Sequence, residues 1–315
     1  MQPAYCTVCT ASCYLAGMTN LSRKDWILLG LLTLCWGINW PIMKLGVRAF
    51  PPMTFRGLSM LIGLPVIALA AHGMRVPIGM PAGSLGTIAR LALPNMMLWH
   101  VLMILGLKML ASGRAAILGY TMPVWAVLSG LIFFGDRISK TAWFGIACAF
   151  SGAMLLLSGE FAAMSGRPLG SLLMLVAAAS WGYGTVAMKR TRIDMPTIAL
   201  TFWMLLLATL VMGVCASLFE RDAWRMPTGT EWAAILYNAV IIFGFAHVAW
   251  FRLARTLPPF ASSLSVMMIP VIGVFSASWI LHETPHWQDY CAMLLILAAM
   301  STVLLKPGSP PPNKP

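Results

Sequence analysis

Three side chains able to carry charge, Arg56, His100 and His247, stand inside long apolar stretches where an ionisable group is costly to bury. An arginine keeps its charge and can contact a substrate, while histidines titrate near physiological pH and, paired by position, can bind a carboxylate or phosphate or relay protons. Asn39, Asn95, Tyr120, Tyr183 and Asn238 are neutral polar groups at similar depth. Trp36 and Trp181, each beside a glycine, offer flat faces for an apolar ligand. Each has a plainer reading. A neutral histidine can simply bond a neighbouring helix, Arg56 can snorkel from near the outer end of its span, and a buried tryptophan is most often packing.

Covalent chemistry finds less support. The chain holds no Gly-x-Ser-x-Gly, no His-Glu-x-x-His and no paired membrane acids, so a nucleophile with its base, or a metal with its ligands, has no obvious seat. No Gly-rich phosphate loop appears either. His282, Glu283 and His286 are a weak metal set, because the counterpart at Asp136 lacks histidines. Cys6, Cys9 and Cys13 form a C-x2-C-x3-C run that nothing completes, and Cys35, Cys148, Cys215 and Cys291 fall singly in apolar stretches. No metal, disulfide or other cofactor is expected.

The elements that must position these groups are spans. Hydrophobic residues make up 59% of the chain and charged residues 10%, against roughly 25% charged in a soluble domain. Mean hydropathy is +0.82. Apolar runs of about 20 residues, enough for a helix to cross a bilayer core of ~30 Å, fall at 26–45, 53–72, 85–107, 112–134, 141–158, 170–189, 197–219, 232–254, 260–282 and 287–305. They are apolar all round, which excludes the period-two alternation of a membrane β-barrel.

Loop charge sets the orientation. With the N-terminus cytoplasmic, that side collects Arg23, Lys24, Arg75, Arg137, Lys140, Lys189, Arg190, Arg192, Arg252, Arg255, Lys306 and Lys314. The far side holds Lys44, Arg48, Lys108, Arg114, Arg167, Arg221 and Arg225, with most of the acids. This positive-inside bias puts both termini in the cytoplasm of a bacterial cell, the chain lying in its inner membrane. The net charge of +12 is thus a topology signal, and a nucleic-acid partner is not expected. Residues 1–25 read as a flexible segment with Met18 as an alternative start, and 306–315 as a Pro-rich tail.

A repeat organises the spans. Trp36, Gly37 and Lys44 return as Trp181, Gly182 and Lys189, 145 positions on; His100, Pro123 and Asp136 return as His247, Pro270 and Glu283, 147 positions on. Agreement in order and offset points to duplication. Five crossings per half reverse the second copy, the inverted-repeat plan of secondary transporters.

The Trp-Gly pairs within spans one and six, "LPPF"-like loops, the small-residue runs leading to mid-helix prolines at Pro123 and Pro270, and "FFGDRISKTAWFGIACAFSGAMLLL" (133–157) resemble the drug/metabolite transporter superfamily, EamA-type. The resemblance covers residues 26–305 and implies ten helices, alternating access, and movement of small metabolites, amino acids among them. Asp136 stands where that family usually has Glu, as at Glu283.

The expectation is an all-α integral membrane protein with ten transmembrane helices as two inverted five-helix repeats, 26–158 and 170–305. Its function would be a permease or exporter of a small metabolite such as an amino acid or organic anion. The alternative is an intramembrane acyl or phosphoryl transferase. Substrate contacts are expected from Trp36, Asn39, Arg56, His100, Trp181, Tyr183 and His247. Gly37, Pro41, Pro123, Gly182 and Pro270 are expected as hinge or packing positions, with a kink at Pro41 where proline removes a helix hydrogen bond. The partners are a small-molecule substrate, the lipid bilayer and, as a candidate, a second copy of the chain.

Overall fold

The computed structural model describes residues 22–137, 139–162, 168–247, 249 and 259–304. The expectations placed on residues 1–21, including Met18, and on the tail from 305 lie outside these. Among the described residues the long elements are all helices: α1 (Arg23–Val47), α2 (Pro52–Gly73), α3 (Leu85–Met109), α4 (Ser112–Phe134), α5 (Lys140–Ala162), α6 (Pro168–Arg190), α7 (Thr197–Phe219), α8 (Gly229–Ala246), α9 (Pro259–Leu281) and α10 (Trp287–Leu304). By length and composition α1 to α8 can each cross a membrane, and Val266–Leu281 of α9 is a shorter apolar helix.

Local chemistry sets several ends. Ser22 caps α1, its hydroxyl accepting from the Asp25 N–H. Pro51 and Pro52 start α2, where a missing N–H costs nothing. Gly135 ends α4 with φ of 71°, a left-handed turn that a side chain would resist. Thr228 and Glu231 close a capping box on α8.

Three helices are irregular inside the bundle. Leu93–Leu98 of α3 and Tyr237–Ala246 of α8 are wound as π-helix. The wider turn weakens the regular ladder, and both segments hold an asparagine whose amide donates to the carbonyl four residues back, Asn95 to Leu91 and Asn238 to Ala234. A hydroxyl joins each segment to a neighbouring helix: Ser180 of α6 donates to the Pro94 carbonyl, and Tyr237 of α8 to that of Cys35 in α1. α4 is interrupted at Tyr120 and Thr121, so Pro123 lies in the first turn of a new helical segment, Met122–Phe134, rather than within a continuous one. By contrast α1 runs as one helix with Pro41 inside it, and α9 likewise carries Pro270.

The main packing pairs are α5 with α10, α1 with α9, α2 with α7 and α8, α3 with α6, and α4 with α6 and α9. α1 also meets α8, and α3 meets α7. The core so formed includes Trp40, Met43, Phe55, Trp99, Met103 and Met174, with a second cluster around Met60, Ile67, Met204 and Phe243. On the outside Ile132, Phe133, Phe144, Phe150, Leu210 and Val214 are exposed. Such a belt suits acyl chains rather than water. The chain is an all-helical, multi-pass integral membrane protein.

Candidate functional site

Arg56 points into the bundle from the second turn of α2 and is buried, 3% exposed. It does not snorkel. Nη1 donates to Asn238 Oδ1 at 2.8 Å, and Nε and Nη2 both face His100 Nδ1, at 3.3 and 2.9 Å. Met43 Sδ lies 3.7 Å from Nη1, and the guanidinium carbon sits 4.8 Å from the centre of the Phe243 ring. Among the described residues no carboxylate pairs with Arg56; the ion pairs there join Arg114 to Asp289, Arg190 to Asp136 and Arg225 to Glu231.

His100 follows the π-wound turn of α3 and is 4% exposed. A guanidinium only donates, so Nδ1 accepts and the ring proton resides on Nε2, a buried atom with no hydrogen-bond partner. His247 follows the π-wound segment of α8 and its Nδ1 bonds the Ile242 carbonyl at 2.7 Å. Phe243 links the groups. Its ring centre is 6.0 Å from that of His100 and 5.6 Å from that of His247, and Trp36 meets His247 edge-on at 6.4 Å. Arg56, His100, His247 and Trp36 thus form one cluster. Sequence reasoning missed Phe243, an ordinary apolar letter.

The other expected residues fall elsewhere. Asn39 is buried with its Oδ1 unpartnered. Trp181 packs on Trp99, the residue before His100, with ring centres 5.4 Å apart. Trp181 and Pro123 also line a cavity of about 530 Å³ with Tyr120, Asp136, Lys189 and Arg190. Tyr183 lies instead against Phe133 and Phe134. Gly37 and Gly182 occupy tight crossings: a Cβ on Gly37 would strike Ile272 of α9, and one on Gly182 would come within 2.7 Å of the Ala126 nitrogen in α4. Pro270 is buried at that same α1–α9 crossing, two residues before Ile272. Pro41 is buried one turn beyond Gly37.

The two ends of the bundle differ. At the end holding the tips of α7 and α9, carboxylates from one half cap helices of the other. Glu220 accepts from the N–H groups of Met53 and Thr54 and from the Thr54 hydroxyl, at 2.7 to 2.9 Å. Glu283 accepts from Ser112 N and Oγ and from Gly113 N, at 2.8 to 3.1 Å. With both oxygens so committed, Glu283 serves a helix end rather than a metal. Arg114 and Asp289 pair at 2.8 Å, and Lys44 donates to the carbonyls of Leu107, Lys108 and Leu110 at the end of α3. In the same region the Glu231 carboxylate raises the Arg225 guanidinium above its ordinary pKa, mainly by hydrogen bonding. At the opposite end the cavity runs to Asp136 and Arg190, which pair at 2.5 and 2.6 Å and are both exposed.

Buried polar groups inside a helical membrane bundle, with a cavity at one end, are features that a membrane transport protein requires. A family model described as the EamA-like transporter family matches the chain twice, over residues 24–158 and 168–305, and the chain belongs to that family. Relatives include "Uncharacterized transporter YoaV" of Bacillus subtilis, 26% identical over 82% of this chain and 89% of that protein. Another is the "Probable amino-acid metabolite efflux pump" of Escherichia coli, 24% identical over 89% and 94%. "Uncharacterized inner membrane transporter YedA" of Escherichia coli is 26% identical over 87% and 88%. A solved structure, 20% identical, superposes with a TM-score of 0.60 over 90% of this chain and 98% of its own, a likeness of fold. The family is one of transporters, which sets the intramembrane transferase aside.

Proposed function

We propose that the chain is an alternating-access permease moving a small metabolite, such as an amino acid or organic anion, across a bacterial inner membrane. Its ten helices would form two inverted repeats, 26–158 and 170–305, with both termini cytoplasmic. The packing pattern carries this reading. Exchanging α1–α5 with α6–α10 turns the α1–α9 contact into α6–α4, α2–α8 into α7–α3 and α1–α8 into α6–α3, while α5–α10, α2–α7 and α4–α9 map onto themselves. Such exchange is what a twofold axis relating two copies produces. The family model's two matches along the chain agree with it.

The unequal ends supply the second support. The Glu220 and Glu283 caps hold one end together, while the cavity reaches Asp136 and Lys189 at the other, the end that the loop charges assign to the cytoplasm. On this reading the structure is an inward-facing state, with Trp99 and Trp181 between the cavity and the Arg56 cluster. The relative named as an amino-acid metabolite efflux pump and the one named as an inner membrane transporter favour a small metabolite and an inner-membrane setting.

The test is transport into or out of proteoliposomes holding the purified chain, with amino acids, organic anions and cationic drugs offered with and without a pH gradient. Movement of a solute that collapses in Trp36→Ala or Trp181→Ala is the expected result. A folded chain that moves nothing under either gradient overturns the proposal.

A further inference from the structure

Resting on the permease reading, we infer that the solute is an organic monocarboxylate whose carboxylate group is held by Arg56 and His100. The guanidinium is buried in a span and carries a full positive charge with no carboxylate paired to it among the described residues. An uncompensated charge at that depth is costly, and an anion that enters cancels it.

The donor set narrows the class. Nε and Nη2 form the edge of a guanidinium that fits the two oxygens of a carboxylate. In the structure that edge is spent on the single Nδ1 of a neutral imidazole. That contact orients His100 so that Nε2–H is left buried without an acceptor. Two groups that donate and lack a matching anion therefore converge beside the Phe243 ring. Asn238 also touches the guanidinium: its Oδ1 takes Nη1 and its amide is bound to the Ala234 carbonyl, so it holds the charge without neutralising it.

Charge balance selects among anions. One arginine, with His100 neutral, is matched by a single negative charge. A phosphate monoester brings nearly two, and a zwitterionic amino acid leaves the net charge where it began. The entering carboxylate replaces His100 Nδ1 on the Nε/Nη2 edge, and the displaced imidazole turns to donate its N–H to the same carboxylate.

The experiment compares acids with their uncharged amides on the unmodified full chain in proteoliposomes: lactate and lactamide, benzoate and benzamide, indole-3-acetate and its amide. Alanine, phenylalanine and glycerol 3-phosphate are added as zwitterionic and phosphate competitors. After subtraction of movement into protein-free liposomes, at least one monocarboxylate is expected to move faster than its amide by at least about two orders of magnitude, a site built to hydrogen-bond a group rejecting an analogue that lacks it by up to roughly 10⁴–10⁵. Arg56→Gln is expected to abolish that preference and Arg56→Lys to keep part of it, each checked for folding by size exclusion. Equal movement of acid and amide, or faster movement of the amino acids or the phosphate ester, overturns this inference while leaving the permease intact. Undiminished acid transport by folded Arg56→Gln overturns it too. A chain that moves no solute at all overturns both.

Discussion

Phe243 does more in the cluster than its letter suggests. Its ring faces Arg56, touches both histidines and lies in the π-wound part of α8, so the shape of that segment decides where three polar groups meet. Asn238, in the same segment, offers a sharp test. Asn238→Asp would give Arg56 an internal counter-ion at a 2.8 Å contact, and an internal anion competes with an entering one. Thermal stability in detergent is expected to rise and, if Arg56 holds a substrate carboxylate, monocarboxylate transport is expected to fall by about tenfold or more, worth ~1.4 kcal/mol. A variant that transports normally would show that Arg56 does not need a free charge. Arg56, His100, His247 and Trp36 were legible in the sequence because ionisable groups and repeated tryptophans stand out in apolar runs. The role of Phe243 was not legible, since one phenylalanine among many carries no mark until the chain is folded. Tyr183 illustrates the converse. It sits two positions from Trp181, about 200° around a helix, and so faces Phe133 and Phe134 instead of the cavity.

Helix ends and crossings set the next level of constraint. Each of Glu220 and Glu283 neutralises the start of a helix from the other half by accepting two N–H groups and a hydroxyl. Glu283→Ala is expected to lower stability by about 1–3 kcal/mol, the scale of a charge-assisted bond lost from a buried end, with Glu283→Gln intermediate; melting of the purified protein reads it. Unchanged melting in both would mean that solvent replaces the cap at no cost. At crossings the glycines divide by what lies opposite. Gly182→Val meets the α4 backbone, which cannot yield, and overpacking of that kind costs about 1–3 kcal/mol. At Gly213 of α7 an added Cβ would find nothing within 4 Å, so Gly213→Ala serves as the neutral comparison. The spans themselves were easy to read, because length and apolarity are written in the letters: 112–134 and 197–219 match α4 and α7 at both ends. The π-wound segments were not, since π and α turns use the same residues and differ only in what packs beside them. Pro123 in the letters alone suggests a break within a helix, whereas Tyr120 and Thr121 already end the preceding segment and the proline takes the place at a new start where its missing N–H is harmless.

Among the described residues, the two stretches that the family model matches are not two packed bodies. Nearly all the extensive helix pairs join one half of the chain to the other, so on the proposed alternating-access reading helices drawn from both halves would move together. The orientation is open to a direct check. In a chain with its native cysteines replaced, Arg48→Cys is expected to react with a membrane-impermeant maleimide added outside cells, and Arg192→Cys only after permeabilisation. The reverse pattern would invert the topology and place the cavity mouth outside. The carboxylate caps carry one more consequence, for the order in which the protein is made. Met53 is synthesised 167 residues before Glu220, and Ser112 171 residues before Glu283. At ribosomal rates of ~5–20 residues per second the amino ends of α2 and α4 wait roughly 10–30 s for the groups that complete them. During that interval the nascent first half sits in the bilayer with those two helix ends still lacking the carboxylates of the second half.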